Sequence, residues 1–304
     1  MATDVSLISI TEPSSEYELI DSGEEEKLER FGSIVLVRPD PQAMWKKTLS
    51  DKAWKDAHAR FAQEGKTAKW VKHAKGSIPE EWSMNMGGFT FLLGLSSFKH
   101  TGIFPEHAEN WQWIADAVRT AQSLRAGQSG KVQVLNLFGY TGGATLAALS
   151  AGAEVCHVDA SKVSIGRAKE NLVRSRMEDK PVRFILDDAL AFVKREARRG
   201  NVYDGIIMDP PAFGRGPKNE LWKIETHLPQ LMEACAQILS ANPAFVLMNG
   251  YAAGYSPIAY RNNIAALVGK RAETGTLECG ELTIRESHGG RLLPAGIFAR
   301  WRAA

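Results

Sequence analysis

Two stretches of the sequence place glycine, acid and proline residues directly after apolar runs. Residues 134–149, VLNLFGYTGGATLAAL, predict a strand, a glycine-rich turn and the start of a helix. Residues 203–216, YDGIIMDPPAFGRG, predict a second apolar strand followed by an acid and two prolines. In open α/β sheets, ligands bind at the carboxyl ends of the strands, near the point where the strand order reverses. The two stretches therefore predict one ligand site built from strand ends.

The glycine turn predicts a close approach of the backbone to a ligand. Gly139, Gly142 and Gly143 lack a Cβ atom, and the helix that follows would direct free N–H groups at the ligand. A tight turn without a ligand is the alternative. A dinucleotide-binding turn has the pattern G-x-G-x-x-G, and the second glycine of that pattern is missing here. The spacing thus disfavours a nicotinamide or flavin cofactor.

Acids follow the next two predicted strands. Asp159 ends AEVCHVD, where a carboxylate could accept both hydroxyl groups of a ribose. It could instead cap the next helix, although Ser161 could also do so. At the third strand end, Asp188, followed by Ala189, is predicted to accept the amino group of an adenine, with Asp187 capping or exposed. Together these residues predict a ligand that contains adenosine.

The fourth and fifth strand ends carry the predicted catalytic residues. Pro210 and Pro211 remove two backbone donors and stiffen the chain. Such a loop would hold Asp209 in place to orient a reacting nitrogen, while Phe213 stacks on a flat base. A plain strand exit is the alternative. Asn249 at the fifth strand end could add an amide contact.

The order of the predicted elements indicates an α/β fold. After residue 105, near-continuous apolar strands alternate with helices, which is typical of a parallel sheet covered on both faces. ETGTLECGELTI and AGIFARWRA then predict an antiparallel C-terminal hairpin, because no helix separates them. We predict a flexible N-terminus at 1–15, a small β-rich domain at 16–104 and a ligand-binding domain at 105–304. Within the small domain, 43–70 predicts a polar helix, or a helix and a loop, and the acidic run 24–30 a solvated surface.

Composition excludes several classes of protein. The chain has 304 residues, a net charge of +2 and 44% hydrophobic residues, so its charge does not indicate nucleic acid or membrane binding. Cys156, Cys235 and Cys279 are too scattered for a disulfide framework or a CxxC metal site. The N-terminus does not resemble a signal peptide, and no apolar run reaches the roughly 18 residues of a membrane span. We therefore expect a cytoplasmic protein without a metal, in an oligomeric state that the sequence leaves open.

The assembled motifs resemble those of the class I S-adenosylmethionine-dependent methyltransferases, which have a Rossmann-like sheet. Within that class the sequence is similar to bacterial enzymes that modify large-subunit ribosomal RNA. The resemblance is carried by FKHTGIFPEH, NLFGYTGGA, Val158-Asp159, DDAL and DPPAF, and extends over roughly residues 85–250. It implies S-adenosylmethionine as the cofactor. The implied cofactor-binding residues are Lys99, Thr101, Phe104, Asn136, Phe138, Gly139, Tyr140, Thr141, Gly142, Gly143, Asp159, Ala160, Asp188, Ala189 and Asp209.

One departure from that family concerns the methyl acceptor. Relatives that methylate C5 of cytosine need a cysteine nucleophile after strand four or five, and this chain has Asp209-Pro210-Pro211 and Asn249-Gly250-Tyr251 there. The three cysteines lie elsewhere, and we expect them to be buried filler. The sequence therefore predicts that the methyl acceptor is a base nitrogen in ribosomal RNA. A small-molecule or protein acceptor is the alternative, and a nicotinamide-binding oxidoreductase is a more remote one.

Two basic groups could contact RNA phosphates. Arg215, Lys218 and Lys223 follow the Asp-Pro-Pro loop, and Arg195, Arg198 and Arg199 end a predicted helix. The second group has an alternative role, because basic residues at a helix C-terminus complement the helix dipole.

Overall fold

The computed structural model divides the chain into two compact units. The larger contains Asn110–Glu281 and Gly296–Ala304 together with residues 7–9, and the smaller contains Ile10–Glu109 and Leu282–Ala295. Residues 282–295, which the sequence assigns to the ligand-binding domain, thus lie in the smaller unit. Arg291 donates to the Asp21 carboxylate there at 3.0 Å. The structure describes residues 7–64, 67–73, 77–96, 99–125, 130–251 and 254–304.

Helices and strands are labelled in chain order. The helices are α1 (Asp51–Lys55), α2 (Ala108–Leu124), α3 (Gly143–Ser150), α4 (Lys162–Arg174), α5 (Ala189–Arg199), α6 (Ile224–Ile238) and α7 (Pro257–Val268). The strands are β1 (Leu7–Thr11), β2 (Tyr17–Gly23), β3 (Glu26–Phe31), β4 (Ile34–Pro39), β5 (Ala59–Glu64), β6 (Thr67–Lys72), β7 (Glu81–Met86), β8 (Phe89–Gly94), β9 (Gln133–Leu137), β10 (Glu154–Asp159), β11 (Val182–Leu186), β12 (Gly205–Met208), β13 (Phe213–Arg215), β14 (Leu221–Lys223), β15 (Phe245–Gly250), β16 (Thr276–Arg285) and β17 (Leu292–Arg302).

The larger unit is built on an eight-stranded sheet in the order β1-β16-β17-β15-β12-β9-β10-β11. The five strands from β15 to β11 are parallel, and β17 runs antiparallel to β15. Every residue of β12 and β15 is buried, as expected for parallel strands covered on both faces. The predicted fold class is confirmed. Leu7–Thr11 forms an edge strand, although it lies within the stretch predicted to be flexible.

The register of the parallel strands brings their carboxyl ends to one level. Leu137 of β9 pairs with Val158 of β10 on one side and with Met208 of β12 on the other. Met208 in turn pairs with Met248 of β15. The strand order reverses at β9, since β10 follows on one side and β12 on the other. The residues immediately after these four therefore lie at the edge where α/β proteins bind ligands.

The smaller unit contains a five-stranded sheet, β2-β3-β4-β5-β6, and the separate hairpin β7–β8. That hairpin turns at Gly87 and Gly88, which have left-handed φ angles of 60° and 84°. The helix prediction for residues 43–70 is wrong beyond α1. Residues 59–64 and 67–72 form β5 and β6, because β5 pairs with β4 and β6 completes the sheet. Such long-range pairing is not visible in a local pattern.

The acidic run 24–30 is not wholly a solvated surface, because Glu29 is fully buried. Arg38 donates to both of its carboxylate oxygens at 2.7 Å, and the Tyr17 hydroxyl donates to Oε1 at 2.8 Å. Burial alone would raise the pKa of Glu29, but the charges of Arg38 and Lys27 hold it below its usual value. The carboxylate is therefore ionised and is the polar centre of this unit.

We predict that Arg38→Met costs about 3–5 kcal/mol of unfolding free energy, because it leaves the Glu29 charge buried and unpaired. The matched control is Arg285→Met. Arg285 pairs with Glu12 at 2.9 Å in the same unit, but both side chains are substantially exposed, at 36% and 57%. Its loss should cost less than about 1 kcal/mol. Urea denaturation measures both, and equal losses would contradict the assignment of Glu29 as a buried charge.

Candidate active site

The turn after β9 is held in an unusual backbone conformation. Phe138, Tyr140 and Gly142 have left-handed φ angles of 56°, 49° and 93°. Such angles are unfavourable for large side chains and occur often at functional sites. Two hydrogen bonds to β10 stabilise the turn: the Gly139 N–H donates to the Val158 carbonyl at 3.0 Å, and the Tyr140 N–H donates to Asp159 Oδ2 at 2.8 Å. The turn is thus tied to the neighbouring strand end.

The glycines of this turn are required by packing inside the protein. A Cβ atom at Gly139 would lie 2.5 Å from the His157 ring, and one at Gly143 would overlap the Trp111 indole. Gly142 precedes the first residue of α3 and needs its left-handed φ to begin the helix. From the sequence alone, the expected reason for these glycines is the close approach of a ligand. In the structure, the missing Cβ atoms of Gly139 and Gly143 make room for His157 and Trp111.

A buried polar network lies beneath the turn. Asn136 Nδ2 donates to Thr145 Oγ1, and Thr145 Oγ1 lies 2.9 Å from His157 Nδ1. Burial lowers the pKa of His157 to about 3, so the imidazole is neutral and Nδ1 can accept from the hydroxyl. Asn136 is only 2% exposed, so its amide supports α3 rather than facing open space. Asn136 is one of the cofactor-binding residues that the family resemblance implies. Thr145 and His157 have no predicted role.

Asp159 is half-buried at the end of β10. Its two carboxylate oxygens accept from the N–H groups of Tyr140 and Ser161, each at 2.8 Å. Burial raises the pKa of Asp159, and the two N–H groups oppose part of that increase. Ser161, not Asp159, caps α4, since Ser161 Oγ accepts from Ser164 N at 3.2 Å. Each carboxylate oxygen can accept a further hydrogen bond, so Asp159 has capacity for two hydroxyl donors, with Ala160 adjacent.

At the end of β11 helix capping falls to a different acid from the one predicted. Asp188 caps α5, because its Oδ1 accepts from Ala191 N at 2.8 Å. Asp187 does not cap the helix but forms an ion pair with Arg195. Within the described part of the chain, Asp188 Oδ2 has no hydrogen-bond partner, so it can still accept from an amino group while Oδ1 caps the helix. Ala189 is the first residue of α5.

The segment after β12 is more ordered than the predicted loop. It contains the hairpin β13–β14, and α6 begins directly after it at Ile224. Pro210 is buried, whereas Phe213 is 58% exposed. An exposed phenylalanine beside a rigid loop offers a face for stacking on a ring.

Trp222 of β14 connects this loop with the glycine turn. Its Nε1 donates to the Pro211 carbonyl at 2.6 Å, and its ring meets the Phe138 ring edge to face at 5.0 Å. Trp222 is only 4% exposed. The sequence predicts no role for Trp222, because its contact with the distant Phe138 leaves no local signal. The Asp-Pro-Pro loop and the glycine turn are therefore held together by one side chain.

The fifth strand end places Asn249 in the interior. It is 5% exposed, and its Oδ1 accepts from Asn110 Nδ2 at 2.8 Å. Asn110 Oδ1 in turn accepts from Arg300 at 3.1 Å. One end of the Asn249 amide is thus used in orienting the side chain, and its catalytic role stays a prediction.

Other predicted residues belong to the smaller unit or to α5. Lys99, Thr101 and Phe104 belong to the smaller unit, and their role in cofactor binding stays a prediction. Arg195 and Arg199 have acidic partners, Asp187 and Glu196. The three cysteines are all buried, as expected, and none forms a disulfide. Among the described residues, no cluster of three or more His, Cys, Asp or Glu side chains could hold a metal ion, and no helix is long and apolar enough to span a membrane.

We predict opposite effects for two glycine substitutions in the larger unit. Gly139→Ala should cost about 1–3 kcal/mol or prevent folding, because the added methyl group meets the buried His157 ring. Gly166→Ala lies in the exposed part of α4, where an added Cβ meets nothing within 4 Å. It should stabilise the protein by about 0.5–1 kcal/mol, since glycine weakens a helix interior. Thermal unfolding measures both changes, and a Gly139→Ala protein as stable as wild type would refute the packing argument.

Comparisons with known proteins bear on the family and the fold. The S-adenosylmethionine-dependent methyltransferase family matches residues 49–249. The structure of an S-adenosylmethionine-dependent methyltransferase from Agrobacterium tumefaciens is 38% identical, with a TM-score of 0.88, and the match covers 98% of this chain and 94% of that one. A methyltransferase structure complexed with SAH is 17% identical with a TM-score of 0.67, over 95% of this chain and 76% of that one, and shares the fold.

Curated relatives include the ribosomal RNA large subunit methyltransferases K/L. The protein from Shewanella frigidimarina is 29% identical over 53% of this chain, and the one from Syntrophotalea carbinolica is 29% identical over 57%. The matches span only 21% and 22% of those relatives' lengths. Because the family match covers about two thirds of the sequence, residues 49–249 of 304, this chain belongs to the S-adenosylmethionine-dependent methyltransferase family.

Proposed function

We propose that the protein transfers a methyl group from S-adenosylmethionine to a nitrogen atom of a base in structured ribosomal RNA. The observation that carries this proposal is the combination of the acid Asp209, the exposed Phe213 and a basic hairpin on one short segment after β12. This segment adjoins the strand ends that suit an adenosine group.

The residues at the ends of β9, β10 and β11 fit S-adenosylmethionine. Asp159 can accept from the ribose hydroxyls, and Asp188 Oδ2 from the adenine amino group. The turn at residues 138–143 would pass beside the cofactor, with the N-terminus of α3 behind it. When bound, S-adenosylmethionine supplies an electrophilic methyl group on a sulfonium centre. The part of these residues is to bind and orient the cofactor.

The Asp-Pro-Pro loop would orient the acceptor. The Asp209 carboxylate accepts a hydrogen bond from the target nitrogen, and the Pro210 carbonyl offers a second acceptor. Phe213 stacks on the ring that carries the nitrogen, and Pro211 limits movement of the loop. A base must leave its stack to reach such a site, and an exposed aromatic ring compensates for part of the lost stacking. Alignment of this kind can contribute about 7–11 kcal/mol to catalysis in favourable cases.

The hairpin β13–β14 supplies positive charge beside the loop. Arg215, Lys218 and Lys223 are all exposed, on a chain whose net charge is only +2. Arg215 also donates to Asn219 at 2.9 Å, which holds it on the hairpin. Such residues would contact phosphates. The names of the curated relatives support RNA as the substrate, and three buried cysteines without a disulfide suit the cytoplasm, where we place the reaction.

The raised pKa of Asp159 predicts pH-dependent cofactor binding. Affinity for S-adenosylhomocysteine should be constant above this pKa and fall as the pH decreases through it, because the protonated carboxyl loses acceptor capacity. Asp159→Asn should weaken binding by about 1.5–3 kcal/mol and remove this dependence. Calorimetry between about pH 4.5 and 8 measures both effects. Asp116→Asn, on the exposed face of α2, is the control, and a pH dependence that persists in Asp159→Asn would rule out this role.

The acceptor proposal predicts salt-sensitive transfer to RNA. Replacing Arg215 and Lys218 together by alanine should raise the KM for RNA and leave affinity for S-adenosylhomocysteine unchanged. The slope of log affinity for RNA against log salt should decrease by about 1.4–1.8, because two phosphate contacts are lost. Tritium transfer to RNA from a strain lacking the protein measures KM, and filter binding measures the slope.

Arg119→Ala is the matched control for charge, because Arg119 is 51% exposed on α2 and pairs only with Asp116 among the described residues. If RNA from the deletion strain stays unlabelled while a protein or metabolite fraction accepts the methyl group, RNA is not the substrate.

A further inference from the structure

Tyr260 of α7 is a tyrosine whose ring is buried and whose hydroxyl group lies at the boundary of the core. The residue is 2% exposed, and its ring packs in the main hydrophobic core. Across the described ranges 7–64, 67–73, 77–96, 99–125, 130–251 and 254–304, no hydrogen bond to the Tyr260 hydroxyl is formed. Its oxygen is not among the fully buried side-chain atoms that lack a partner, so the hydroxyl group reaches the surface, where a ligand can meet it.

The hydroxyl lies at the end of β15. A Cβ atom added at Gly250 would overlap the Tyr260 hydroxyl oxygen. Gly250 directly follows Asn249 and is the last residue of β15. A glycine at this position therefore admits the hydroxyl to the edge of the sheet where the proposed site lies.

Asp209 is close to the same hydroxyl. It directly follows β12, and β12 pairs with β15 in parallel. Burial, together with the negative charges of Asp209 and Tyr255, raises the pKa of Tyr260 to about 12. At neutral pH the phenol is therefore protonated and can donate a hydrogen bond beside a carboxylate that can only accept one.

We infer that the Tyr260 hydroxyl donates a hydrogen bond to the methyl acceptor while Asp209 accepts one from it. The pair recognises a group in which an N–H lies next to a carbonyl oxygen or an unprotonated ring nitrogen. Guanine and uracil present an N–H beside a carbonyl oxygen. Adenine presents an amino N–H beside an unprotonated ring nitrogen. This inference rests on the proposed function, because it assigns the acceptor to the site at Asp209.

A purely structural role for the hydroxyl does not fit these contacts. The neighbouring Tyr255, whose ring centre lies 6.4 Å from that of Tyr260, uses its hydroxyl to donate to Glu225 at 2.7 Å. Tyr260 has no such bond, so a phenylalanine would fill the same space in the core. The hydroxyl group is the part of Tyr260 that packing leaves unexplained.

The test compares Tyr260→Phe with Tyr255→Phe, each of which removes one hydroxyl group. Melting temperature, calorimetry with S-adenosylhomocysteine, and kcat and KM for tritium transfer are measured for both. Tyr260→Phe should melt at or above the wild-type temperature and bind S-adenosylhomocysteine within about threefold of wild type. Its kcat/KM should fall about 10–150-fold, as expected for a lost hydrogen bond to substrate. Tyr255→Phe should leave kcat/KM unchanged.

Two outcomes would overturn the inference. One is wild-type kcat/KM in Tyr260→Phe, and the other is a lower melting temperature, which would reveal a structural partner of the hydroxyl. If the wild-type enzyme labels protein or a metabolite instead of RNA, the RNA proposal fails. The ratio of kcat/KM between wild type and Tyr260→Phe, measured with that acceptor, then decides the role of Tyr260. The melting temperature tests the unpartnered hydroxyl without any acceptor.

Discussion

The hydrogen bond from the Tyr140 N–H to the Asp159 carboxylate is the contact on which the rest of the site depends. It joins the turn after β9 to the end of β10 at 2.8 Å. To form it, Phe138 and Tyr140 adopt left-handed backbone angles, which are costly for aromatic residues. Gly139 lies over the neutral imidazole of His157, where any side chain would collide. Backbone strain, a buried histidine and a glycine thus serve one purpose, which is to hold an acid at a strand end.

The parallel register then separates the site into two parts. The ends of β9, β10 and β11 carry the groups that suit a cofactor, whereas β12 and β15 carry Asp209 and Asn249. Because β9 pairs directly with β12, the two parts meet where the strand order reverses. Trp222 maintains their spacing, since it contacts Phe138 on one side and Pro211 on the other. Methyl transfer requires such spacing, because the acceptor must lie in line with the bond that breaks.

The sequence predicted the features that depend on local patterns. Continuous apolar runs predicted the buried strands, and their alternation with helices predicted the parallel sheet. It favoured Asp188 for adenine with Asp187 capping or exposed, whereas Asp188 caps α5 and Asp187 pairs with Arg195, because two adjacent acids at a strand end do not reveal which one the arginine will meet. Asn136 was assigned to the cofactor because its burial beside Thr145 depends on the helix that follows. Trp222 and Tyr260 were missed because their contacts lie far away in sequence, and β5–β6 because their polar residues concealed the strands.

We assign acceptor chemistry to Asp209 and cofactor binding to the neighbouring strand ends, and one substitution tests that division directly. In Asp209→Ala, affinity for S-adenosylhomocysteine is measured by calorimetry, and methyl transfer is measured at saturating S-adenosylmethionine. If the division is right, affinity for S-adenosylhomocysteine stays within about threefold of wild type and turnover falls by at least about 100-fold. A parallel loss of affinity and turnover, or full turnover with the alanine in place, would contradict it.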